Sequence, residues 1–163
     1  MTDFYDSARW GLIPAGSRAM LYTDGRYAAT AEDAKRFSAV RWITIAGGSA
    51  AAAAAGAIDY EPGNLAYEGT QLRKFAVARK AMGCRARVYC NLSNLPLAHS
   101  QAGDLGNVVW WLATLDGQPA NAAEMVKAAR DRGVDLTTGQ VWANQYKGGP
   151  SAPWDESVLL GVW

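Results

Sequence analysis

AIDYEPGN, residues 57–64, reads as a short strand, AIDYE, stopped by the turn Pro62-Gly63-Asn64. Side chains alternate between the two faces of a strand, so Asp59 and Glu61 fall on one face and Tyr60 on the other. In parallel α/β folds the functional groups gather beyond the C-terminal ends of the strands. A strand that closes on two carboxylates is therefore a candidate site, provided its neighbours are strands of the same kind.

The neighbours satisfy that condition in both directions. Upstream lie the strand-like runs RAMLYT (18–23), closed by the turn Asp24-Gly25, and VRWITIA (40–46). Between them Thr30 is placed to cap a helical segment, AEDAKRF, with Glu32 and Asp33 in its first turn. The stretch GGSAAAAAAG (47–56) is low in complexity and fits either a loop or a short helix. Downstream, the spacing of Leu72, Phe75, Val77 and Ala78 predicts a helix over 70–82 with Gly83 as its C-cap; Arg73, Lys74, Arg79 and Lys80 fall on its solvated face. Then follow RARVYC (85–90), a helical stretch from Pro96, NVVWWLA (107–113) ending in Asp116-Gly117, and a helix over 121–132 stopped by Gly133. The last two strand-like runs, QVWANQY (140–146) and SVLLGVW (157–163), are joined by a Gly- and Pro-rich loop with no helix. The pattern is α/β, with βα units first and bare strands at the end.

Half of the 163 residues are apolar and 19% are charged, a globular composition that suits one domain over residues 1–163. The formal charge is +1 with both signs dispersed, which lacks the basic footprint of a nucleic-acid binder. MTDFYDSARW has no basic segment followed by an apolar one, so no secretory signal is expected, and the small-apolar run 47–58 is too short to span a membrane. Cys84 and Cys90 match neither a redox pair nor a zinc knuckle and are expected to be buried thiols; His99 is the one histidine. Gly47-Gly48-Ser49 has no Lys in the spacing of a phosphate loop. Neither a metal nor another cofactor is expected.

Reading each strand to its end collects Asp24, Asp59 with Glu61, Tyr89 and Asn91, Asp116, and Asn144, Gln145 and Tyr146. Two carboxylates on one face repel, and the drier of the two keeps its proton for general-acid work while the other stays ionised. The competing reading of Asp59 and Glu61 is a turn-capping Asp and a salt-bridged Glu. Seven tryptophans is a high number for this length, and Trp110, Trp111, Trp142 and Trp154 lie on or beside strand ends, either as stacking faces for sugars or as core. By alternation, only one of Trp110 and Trp111 can face a barrel interior.

The set LYTDG, AIDYEPGN, ARVYCN, WWLATLDG, VWANQY and WDESVLLG resembles glycoside hydrolase family 25, the lysozymes that cut bacterial peptidoglycan. It is most similar to the small family-25-like proteins of actinobacteriophages, which carry similar YDS, Y-x-DG, D-x-E, VYC, W-W-x-A and QY segments. The resemblance runs over nearly the whole chain and implies a reduced TIM-like (β/α) barrel. It implies Glu61 as general acid/base, and Asp59 as the carboxylate that stabilises the reacting sugar and holds its N-acetyl group, the nucleophile. Asp24 matches the carboxylate after the first strand and Asp155 the one before the last. Tyr89, Trp111 and Gln145 fall where the family lines its groove, and Asn91 and Asp116 join them as strand-end polar residues. Family members carry one more βα unit ahead of the Asp-x-Glu strand, where this chain has only GGSAAAAAAG; an incomplete barrel with a shallower groove is the expectation. Two functions follow. One is a phage-encoded, lysozyme-like endolysin acting on peptidoglycan, made in the host cytoplasm or carried on the virion. The other is a non-catalytic wall-binding or virion structural protein, with virion proteins as partners. The architecture is expected to bring Asp24, Asp59 and Glu61 together at one mouth, and a general acid at Glu61 is expected to sit in a drier site than Asp59.

Overall fold

The structure, a computed structural model, describes residues 2–47, 50–148 and 152–163. Period-two alternation builds eight strands: β1 (Thr2–Asp6), β2 (Arg18–Tyr22), β3 (Ala39–Thr44), β4 (Gly56–Asp59), β5 (Ala86–Asn91), β6 (Val108–Ala113), β7 (Val141–Lys147) and β8 (Asp155–Leu159). They pair in chain order into a closed barrel. Strands β1 to β7 run parallel, and β8 closes the ring by pairing antiparallel with both β7 and β1.

The helices are α1 (Ala31–Ala34), α2 (Ala50–Ala55), α3 (Gln71–Ala81), α4 (Leu95–Ala102) and α5 (Ala122–Arg130). Strand and helix alternate regularly only from β3 to β7. A 3-10 turn, Trp10–Leu12, carries β1 to β2, and α1 is a single turn. That turn has the expected cap, since Thr30 Oγ1 accepts from the Asp33 N–H at 3.2 Å. Asn121 caps α5 in the same way and forms a capping box with Glu124.

The expected gap in the barrel is not there. The strand-like runs read from sequence begin at Arg18 and so omit β1, whose five residues supply the missing stave. GGSAAAAAAG supplies α2, a helix rather than a loop, which joins β4 directly at Gly56 with φ +90°. Only small residues allow so short a crossover. A Cβ on Gly47, which has φ +75°, would stand 2.7 Å from Cβ of Gln71. Gly48 and Ser49, part of the weak phosphate-loop pattern, lie outside the described residues. The last strand begins at Asp155 and ends at Leu159, ahead of the run 157–163 that composition suggests.

Alternation sorts the apolar side chains into layers. Ile58, Tyr60, Val88, Cys90, Trp110 and Leu112 point outward and pack under α3, α4 and α5 through Leu72, Phe75, Leu95, Ala98, Met125 and Ala129. Phe4, Met20, Ile43, Ala57, Tyr89, Val109, Trp111 and Trp142 fill the interior. Trp111 is thus the member of its pair that faces inward. Around β1 to β3 a smaller cluster of Ile13, Ala19, Leu21 and Phe37 completes the wall.

Helix α3 departs from its expected faces. Val77 is 47% exposed, whereas Arg79 is buried, donating Nη1 to the Ala53 carbonyl and Nε to the Arg85 carbonyl, both at 3.0 Å. The cause is α2, which packs on the Arg79 side of α3 and offers a free helix-end carbonyl there. Cys84 is only partly buried, and both thiols are free. Among the described residues no helix is long and apolar enough to cross a membrane.

Inside the barrel the Phe4 ring contacts those of Trp111, Trp142 and Trp163 at 5.1, 5.4 and 5.2 Å between centroids. Removing a ring from such a closed interior leaves a cavity, so Phe4→Ala is expected to lower stability by about 3–5 kcal/mol in urea denaturation followed by tryptophan fluorescence. Val162→Ala, at a site 85% exposed, is expected to change it by less than about 0.5 kcal/mol.

Candidate active site

Parallel strands β1 to β7 deliver their C-terminal ends to one mouth, and antiparallel β8 delivers its N-terminal end to the same mouth, with Asp155 in register with Asp6. The groups that meet there are Asp6, Tyr22, Asp59, Glu61, Tyr89 and Asp155. The Tyr22 hydroxyl donates to Asp59 Oδ2 at 3.2 Å. The Tyr89 hydroxyl hydrogen-bonds the Glu61 carboxylate, and the Asp6 and Asp155 carboxyls hydrogen-bond each other. Beneath them the Trp111 ring lies 4.8 Å from that of Tyr89, and its Nε1 donates to Ser157 Oγ at 3.0 Å. Asp6 Oδ2, Asp59 Oδ1 and Gln145 Oε1 are buried without a hydrogen-bond partner among the described residues.

Desolvation dominates the electrostatics. Burial first, and the Glu61 charge second, push the Asp59 carboxyl up to about 8. Burial also holds Asp6 well above the usual carboxylate range, helped by the charges of Asp155 and Asp59. Glu61 is raised by burial, an effect opposed by its hydrogen bond from Tyr89 and reinforced by the charge of Asp155. Both tyrosines are raised, since each would have to ionise in a dry site beside carboxylates. Near neutral pH the cluster therefore retains protons that separate carboxylic acids would have lost.

The order of dryness is the reverse of the sequence expectation. Asp59 is 4% exposed, inside the barrel at the end of β4, while Glu61 lies two residues further on and is only partly buried. Alternation does hold: Tyr60 points out into the helix layer, with its ring 4.7 Å from that of Tyr67 and its hydroxyl accepting from Gln101 at 2.8 Å. The alternative of a salt-bridged Glu61 does not arise, because the five ion pairs among the described residues do not include it.

Three expected site residues stand apart. Asp24 is bound to the end of β3, its Oδ1 accepting from the Ile45 N–H at 2.9 Å and its Oδ2 from the hydroxyls of Thr23 and Thr44. It fastens the loop after β2 and is not among the charges that most raise Asp6, Asp59 or Glu61. Asn91 Oδ1 accepts from Ser93 Oγ and the Asn94 N–H, and Asp116 Oδ1 from Thr114 Oγ1 and the Gln118 N–H, so both shape turns. Trp111 is enclosed and floors the mouth without presenting a stacking face. Gln145 and Asp155 do come together: a Cβ on Gly148 would overlap Asp155 Oδ1 and stand 2.8 Å from Gln145 Nε2, so a larger residue there would displace both side chains. His99 packs its ring on Trp110 at 5.9 Å, away from the interior.

Asp6 and Tyr22 were the omissions. The signal for Asp6 was present, because Phe4-Tyr5-Asp6 runs apolar-in, aromatic-out, acid-in, just as Ala57-Ile58-Asp59 runs small-in, apolar-out, acid-in. With β1 as the first strand, the carboxylate at the first strand's end is Asp6 and not Asp24. Compared with known proteins, the chain matches no family model, no curated protein and no solved structure.

An acid whose pKa is raised by folding binds its proton more tightly in the folded chain. Its contribution to stability is complete below the ordinary value of 3.8 and is lost as pH rises through about 8. Stability is therefore expected to fall between pH 4 and 8. Asp59→Asn keeps an acceptor for Tyr22, removes the titration, and should flatten that slope. Each tenfold change in proton affinity that the variant relieves is worth about 1.4 kcal/mol, so its Tm at pH 9 is expected to exceed the parent's by at least about 2–4 °C in calorimetry.

Proposed function

We propose that the chain is a glycoside hydrolase acting on bacterial peptidoglycan, a lysozyme-like endolysin built as a reduced (β/α) barrel with Glu61 as general acid/base. One observation carries the reading. Asp59 and Glu61 share a mouth in unlike surroundings, the first enclosed and fixed by Tyr22, the second at the rim and fixed by Tyr89. Glycoside cleavage needs such a division between a proton donor that reaches the leaving oxygen and a group that serves the sugar itself.

Although Asp59 is the drier of the two, in this mechanism Glu61, itself raised by burial and placed at the rim, gives its proton to the leaving glycosidic oxygen as the anomeric C–O bond breaks. The acetamido oxygen of an N-acetyl sugar bonds to the anomeric carbon. Asp59 Oδ1, which is buried without a hydrogen-bond partner among the described residues, accepts from the acetamido N–H and orients that group. Water then attacks the anomeric carbon, breaking its bond to the acetamido oxygen, and passes a proton to Glu61, which restores the acid. Burial and the Glu61 charge, with a smaller push from Asp155, hold the proton on Asp59.

A second reading, a non-catalytic wall-binding or virion component, is favoured by the floor of the mouth, where Trp111 is enclosed and presents no open stacking face. The readings separate in one assay with purified actinobacterial cell walls between pH 4 and 8. Release of reducing sugar is expected, and Glu61→Gln is expected to reduce it by about 10²- to 10⁴-fold while the protein still co-sediments with the walls. Co-sedimentation without any release by the parent protein would establish the binding reading, and full activity in Glu61→Gln would refute the role of Glu61.

A further inference from the structure

The opposite end of the barrel carries a cluster that glycoside chemistry does not use. Arg18 opens β2, Arg41 lies in β3, Arg85 precedes β5 and Arg87 is its second residue, and α3 sends Arg79 to the same end. Arg79 Nη2 and Arg87 Nη1 both come within 4 Å of the point where a Cβ on Gly56 would stand, at 3.8 and 3.9 Å. Arg18 and Arg41 lie over the Trp163 ring at 5.8 and 5.7 Å, and Arg87 over Trp142 at 5.0 Å. Arg85, Arg87, Val109, Trp142 and Gly161 line a cavity of about 220 Å³.

None of the five ion pairs among the described residues includes Arg18, Arg41, Arg79, Arg85 or Arg87. The Nε atoms of Arg41 and Arg87 are buried with no acceptor among the described residues. Burial, with the charges of Arg41, Arg79 and Arg85, pushes the Arg87 guanidinium down to about 10. Buried donors left unpaired and like charges held together both destabilise a fold, and an anion relieves both at once. The planar guanidinium fork matches the oxygens of phosphate two at a time. The cavity falls below the roughly 300–1,000 Å³ typical of drug-sized ligands, so its occupant is small.

We propose that the N-terminal mouth of the barrel binds a phosphate-class oxyanion, either free phosphate or the phosphate of a small monoester. Arg85 and Arg87 grip it, Arg41 adds charge behind them, and Trp142 forms the wall. The site is separated from the carboxylates by the aromatic interior, so it stands or falls independently of the glycosidase reading.

The test is thermal melting with Trp fluorescence titration of the full chain, using inorganic phosphate, ribose 5-phosphate and ribose, with chloride at matched ionic strength as reference. At about 100 times Kd, phosphate or ribose 5-phosphate is expected to raise Tm by roughly 5–10 °C over chloride, and ribose by nothing. Tighter binding of ribose 5-phosphate assigns the cavity to a monoester; equal or tighter binding of phosphate assigns it to the free anion. Arg87→Gln is expected to weaken binding at least about tenfold, and Arg85→Gln, an exposed position that folding does not depend on, to weaken it measurably; Glu61→Gln is expected to leave it unchanged. No shift beyond chloride in the parent, or unaltered binding in both arginine variants, would overturn the proposal.

Discussion

A closed barrel of eight strands encloses a space that only side chains can fill, and in this chain the space is filled by the contact of Phe4 with Trp111, Trp142 and Trp163. That contact joins β1 to β6 and β7 across the interior, so it is formed only when the ring is closed. The pleat does the rest. Once Phe4 and Trp111 face inward, the period of two puts Asp6 above Phe4 on β1, Asp59 above Ala57 on β4 and Tyr89 above Arg87 on β5, all on the interior side, with Arg41 below Ile43 on β3. Position in the barrel, more than local sequence, decides which charged side chains meet.

The parallel part of the fold was legible because β3 to β7 and their helices carry the ordinary signals: alternation within strands, the Thr30 and Asn121 caps, and glycines after helices. Strand β1 was not, since Thr2–Asp6 is five residues long, carries an acid at its second position and has no flanking helix. It is identified by what it pairs with, and pairing is not written in a single segment. The same limit applies to α2, whose alanines carry no periodicity and become a helix because β3 and β4 must be bridged in register.

For the site, Asp59, Glu61, Tyr89 and Gln145 were legible from strand ends and Asp155 only from the resemblance, and Asp24, Asn91 and Asp116 were not excluded by the strand-end rule. A polar residue at a strand end has two uses, to face the mouth or to close the turn. Asp24 closes the turn because β3 presents two donors, Thr44 Oγ1 and the Ile45 N–H, at the height where its carboxylate emerges. The relative dryness of Asp59 and Glu61 was likewise hidden, since it depends on how deep β4 ends and not on the D-x-E spacing.

The arrangement of the two mouths gives the molecule a polarity that its net charge of +1 conceals. A six-residue strand such as β5 is about 20 Å long, more than twice the screening length of about 8 Å at physiological salt. Through solvent, the carboxylate end and the arginine end are therefore electrically separate objects. Between them lies the packed aromatic interior of Phe4, Trp111 and Trp142. A charged surface that this protein approaches meets one end or the other, never the average, so its colloidal behaviour follows from orientation and not from isoelectric point.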